Sequence, residues 1–196
     1  MTTAHYALSE ALIIAAAVRS ALLFNQRGDR KAAVAVALIG VAALLGATRH
    51  GAGLVTELAG PHEFVSALGG LLALLLLVLS QLGRSALVPP PWAQVAAVVV
   101  ALVAASLVPA IGAVIFAAGF LLSVVLLVLP AGPALPRLVT LVSFGGAVGV
   151  NLLLPFATWL DPAVRWHVYH VVTAIWVAAL PFCFASQRPA RATAFA

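Results

Sequence analysis

An all-α bundle of seven transmembrane helices is the fold class this sequence predicts, and three observations predict it. Of its 196 residues, 64% are hydrophobic and 8% charged, where a soluble domain carries about 45–50% apolar and about 25% charged residues. The mean hydropathy of +1.18 is spread evenly along the chain. Apolar runs of about 20 residues, the length a helix needs to cross a ~30 Å hydrocarbon core, recur between charges, prolines and polar clusters. Too few charged groups exist to solvate a globule of 20.0 kDa, and the hydrophobicity excludes intrinsic disorder. Residues 1–196 therefore read as one polytopic membrane domain.

The first run, 5–24, lacks the positive n-region of a secretory signal and carries Glu10, so it is expected to be retained as a span. The second, 31–49, lies between Lys31 and Arg49, and the third, 63–83, opens at Glu63 and stops before Arg84. Three prolines at 89–91 form a stiff connection to the fourth, 92–108. Pro109 is predicted to make a tight turn into the fifth, 110–129; if it only kinked one long helix, six spans would remain. The sixth, 137–155, runs from Arg137 to Pro155, and the seventh, 163–184, follows Asp161 and Pro162. Gly145 and Gly149 form a small-xxx-small pair, and Gly69, Gly70, Gly112 and Gly119 add smooth surface for helix packing.

Basic residues in short loops set orientation. Seven spans put Arg19, Arg27, Arg30, Lys31, Arg84, Arg137, Arg188 and Arg191 at or near one side, against Arg49 and Arg165 on the other. The N-terminus is thus expected outside and the C-terminal tail in the cytoplasm of a cell (plasma or inner) membrane. These scattered cations make no nucleic-acid patch. The single cysteine, Cys183, has no partner for an intramolecular disulfide.

The same arrangement brings all five histidines, together with Glu10, Glu63 and Asn151, to the outer side. Ionisable groups at membrane depth are costly and mark function by default. His167 and His170, three residues apart, share a helix face and could bind one ion together with His50, leaving a position for water. Beside Arg165, Trp166 and Tyr169 they could equally be interfacial anchors. Glu63, at the predicted start of the third helix, is the candidate base because the helix dipole favours its anion there; a plain terminal charge is the alternative. Glu10 and Asn151 are placed as supporting residues around the histidines.

The motifs GATRHG (46–51), HEF (62–64) and RWHVYHVVTA (165–174) on seven spans resemble the CREST superfamily, which includes alkaline ceramidases and the progestin and adipoQ receptors. The resemblance implies zinc held by His50, His167 and His170 and hydrolysis of a lipid amide or ester, with Glu63 and Thr48 in catalytic positions. The chain departs from the family pattern in three places. Gly46 stands where the family has a serine, with Thr48 the nearest hydroxyl; the acid is Glu63 rather than aspartate; and Trp166 stands where the first helix-seven histidine is expected. The bilayer and a lipid substrate are the expected partners. The competing reading is a non-enzymatic receptor, transporter or assembly subunit that binds a small ligand at the outer polar cluster. A haem protein is disfavoured, because residues three apart on one helix cannot take opposite faces of one iron.

Overall fold

The computed structural model describes residues 3–85, 87–128 and 134–185, all of whose regular structure is helical. Seven apolar segments follow one another: α1 (Tyr6–Gln26), α2 (Arg30–Gly51), α3 (Ala59–Leu82), α4 (Pro91–Leu107), α5 (Pro109–Val128), α6 (Ala134–Leu152) and α7 (Pro162–Ala185). Six of them are long and apolar enough to cross a membrane, and the seventh, α4, is a shorter apolar helix of 17 residues. Arg188 and Arg191, part of the expected basic asymmetry, lie outside the described residues.

Local chemistry sets the joints. Between α1 and α2, Gly28 takes a positive φ of 74°, a region open to glycine without a Cβ penalty. Asp29 then caps α2, its Oδ1 accepting from the Ala32 N–H at 3.1 Å. At Pro109 the helices are separate. Val108 is extended, with φ −136° and ψ 95°, as the residue before a proline is driven to be. The two helices fold back on each other closely enough that a Cβ on Gly112 would lie 3.0 Å from that of Ala105.

Two expectations are corrected. The third helix starts at Ala59, four residues before Glu63, because Pro61 is tolerated in a first turn. Glu63 therefore lies beyond the turn in which the helix dipole acts. Residues Val65–Gly69 then widen into a π-turn. The Gly145–Gly149 pair of α6 is also not used among the described residues, where a Cβ on either would meet nothing within 4 Å, whereas one on Gly119 would press on Leu74 at 3.1 Å.

Helices α1, α2 and α7 form the tightest part of the bundle, with α3, α5 and α6 against them and α4 outermost, where only Ala105 is buried. The core is aromatic at mid-depth, with Phe120, Phe144 and Trp176 in mutual ring contact at centroid distances of 5.1–5.7 Å. Leucines and valines such as Leu22, Val100 and Leu121 point outward, as a lipid-facing surface requires. One end of the bundle is tied by Asp29, whose Oδ2 accepts from Arg84 at 2.6 Å and from Ser80 at 2.5 Å. Arg84 also donates to the Phe184 carbonyl at 2.8 Å. These bonds hold the α1–α2 turn, the end of α3 and the end of α7 together.

Candidate functional site

The opposite end of the bundle carries all five histidines in one connected group. Glu10 enters it from α1 and is 2% exposed. Its Oε1 lies 3.1 Å from His170 Nε2 on α7 and 4.0 Å from His62 Nε2 on α3. Room for the carboxylate comes from α2: a Cβ on Gly46 would lie 2.1 Å from Oε1 and 3.0 Å from His62 Nε2. The glycine that breaks the family's serine pattern is thus the space in which Glu10 meets the histidines.

Proton placement follows from the partners. His170 Nδ1 lies 2.7 Å from the Trp166 carbonyl, which can only accept, so the proton is on Nδ1. In the neutral ring Nε2 is then a bare lone pair turned toward a carboxylate oxygen. Although the two atoms are 3.1 Å apart, Glu10 Oε1 accepts no hydrogen bond.

The remaining residues divide. Ser9 Oγ donates to the Tyr6 carbonyl at 3.0 Å, so it accepts from His167 Nδ1 at 3.1 Å. His167 therefore turns toward Ser9 and His5, its ring 5.3 Å from that of His5. His50 is buried with neither ring nitrogen hydrogen-bonded. Trp166 stands between it and His170, with ring centroids 5.0 Å and 4.3 Å away. Among the described residues, no group of three or more His, Cys, Asp or Glu side chains could hold a metal ion; the expected set of His50, His167 and His170 is not gathered around one point.

Glu63 is exposed and Thr48 turns its hydroxyl to its own helix, donating to the Leu44 carbonyl at 2.9 Å. Asn151 likewise donates to the Ala147 carbonyl at 2.8 Å. The acid that reaches the histidines is Glu10, which sequence reasoning placed in a supporting role, and His62, which it gave no role, completes the group. No sequence signal pairs the two; they meet because Gly46 on α2 leaves space at the helix crossing.

Glu10, His62 and His170 line one end of a cavity of about 840 Å³ that runs into the bundle. Its deeper walls are apolar, formed by Ile13, Ile39, Leu71, Leu74, Phe116 and Trp176. The π-turn of α3 contributes Ser66, Ala67 and Leu68, and the α4–α5 joint contributes Ala105, Ser106 and Pro109. Glu63 and Asn151 also reach this lining. No protein-family model, no curated protein and no solved structure matches the chain. Fold and site together define a multi-pass helical membrane protein with a buried acid–imidazole group at the end of an apolar cavity.

Proposed function

We propose that the protein binds a lipid-like amphiphile, with the apolar chain in the cavity and the polar head at Glu10, His62 and His170. The observation that carries this is the division of one cavity into a polar end and apolar walls. Its volume falls in the ~300–1,000 Å³ range of small-molecule sites. The orientation we infer puts the head-group end outside, since Arg19, Arg27, Lys31 and Arg84 gather toward the opposite end of the bundle and cytoplasmic loops collect such residues.

Gly70 supplies the test. It lines the cavity, and a Cβ there would meet nothing within 4 Å. Gly70→Phe is therefore expected to fill the cavity without displacing a helix. Solvent extraction and mass spectrometry of protein purified in mild detergent should find the wild type carrying an amphiphile and Gly70→Phe nearly free of it. Equal lipid content in the two would refute the reading.

Hydrolysis of a lipid amide or ester in the same cavity is a second reading, favoured by the close approach of a buried carboxylate to an imidazole at its polar end. Glu10 rather than Glu63 would then take the proton from the attacking water. Because the expected set of His50, His167 and His170 is not gathered around one point, the base is assigned from this chain's own residues, with no role given to zinc. Fatty-acid release from N-acyl and O-acyl lipids should be abolished by Glu10→Gln and retained by Glu63→Gln. No release by the wild type, with or without added zinc, would leave binding as the function.

A further inference from the structure

The polar end of the cavity is rich in acceptors and poor in cations. Two carboxylates, Glu10 and Glu63, line the cavity, and among its described lining residues there is neither lysine nor arginine. Glu10 Oε1 is buried and accepts no hydrogen bond. His170 has committed its Nδ1 proton to the Trp166 carbonyl and turns its other nitrogen toward the same oxygen. Oε1 has no donor among the described residues, and Nε2 in the neutral ring can only accept. The indole N–H groups of Trp166 and Trp176 are donors but also stand without a partner there.

From this accounting we infer that the ligand is a cationic amphiphile whose head is a protonated amine. This rests on the amphiphile reading above and narrows its chemical class. An ammonium carries three donors and no acceptor. It can bond Glu10 Oε1 and His170 Nε2 together, with His62 Nε2, 4.0 Å from that oxygen, as the third direction. Trp166 and Tyr169 also line the cavity, and aromatic rings near a cation add cation–π attraction. A fatty acid or phosphate head would bring a second negative charge to Glu10, and a neutral alcohol would leave the carboxylate unpaired in charge.

The test compares two probes of equal chain length, dodecylamine and dodecanol, added to protein in nanodiscs of zwitterionic phosphatidylcholine at neutral pH. Fluorescence of Trp166 and Trp176 is read in a Trp92→Phe, Trp159→Phe background, because those two tryptophans are exposed on the surface. Wild-type protein should saturate at an amine concentration about tenfold below that of the alcohol, the size expected of one charged hydrogen-bonded contact. Glu10→Gln, nearly isosteric, should bring the two concentrations together by weakening the amine alone, and Gly70→Phe should abolish saturation by both. Equal wild-type affinity for the two probes, or a preference that survives Glu10→Gln, would overturn the amine assignment and leave the cavity reading standing. Saturation by neither probe would overturn the cavity reading itself.

Discussion

Gly46→Ala should empty the site of its carboxylate. The new Cβ would lie 2.1 Å from Glu10 Oε1 and 2.6 Å from Glu10 Cδ, far inside contact distance, so the flexible end of the Glu10 side chain must swing out of this space toward the cavity it lines. Overpacking of this kind costs about 1–3 kcal/mol, and here it also separates Glu10 from His170 and His62. The expected result is a lower unfolding temperature in detergent together with loss of retained amphiphile. Gly145→Ala is the control: its Cβ meets nothing, and alanine is up to about 1 kcal/mol better than glycine inside a helix. Combining Gly46→Ala with Glu10→Ala removes the clash, so the double variant should recover stability but not binding. Additive losses in the double variant would show that the two residues do not meet.

Phe144→Ala should produce the largest loss of stability. Phe144 is fully buried and packs edge-on against Phe120 and Trp176, at 5.4 Å and 5.7 Å. Removing a buried phenylalanine ring costs about 3–5 kcal/mol when the void does not collapse, and three rings in mutual contact leave little freedom to close it. Trp176 belongs both to this cluster and to the cavity wall, so the void would open beneath the cavity floor. Thermal unfolding in detergent should show the drop, and longer-chain amphiphiles should gain relative to shorter ones. A loss below about 1 kcal/mol, the scale of a relaxed core swap, would mean that the ring does not support this floor.

The helices were legible because their cause is local. A bilayer-length apolar run closed by Pro, Gly or charge needs no tertiary partner to be a helix, and the segments 31–49 and 163–184 lie within α2 and α7. Pro109 likewise acts through its own ring on Val108, so the separation of α4 from α5 follows from two adjacent residues. That the histidines share one end of the bundle also followed, since an odd or even number of crossings decides which end a residue occupies.

Which side chains meet at that end was decided by tertiary packing. Spacing on α7 put His167 and His170 on one broad face, but their partners come from α1: Ser9 draws His167 one way and Glu10 lies against His170 on the other. An acid one turn into the first helix and a histidine in the first turn of the third have no sequence relation that links them. They are joined because α2 offers a glycine at the crossing and α1 lies close enough to fill it; along the same pair a Cβ on Gly40 would lie only 3.0 Å from that of Ala17. The sequence by itself determined the apolar helices, most of their joints and the end at which the polar groups gather, through length, hydropathy and backbone sterics. Only the tertiary structure decided that Glu10 and His62, rather than His50 and His167, stand with His170 at the head of the cavity, because that choice depends on the rotation of each helix about its own axis, set by packing contacts between distant parts of the chain.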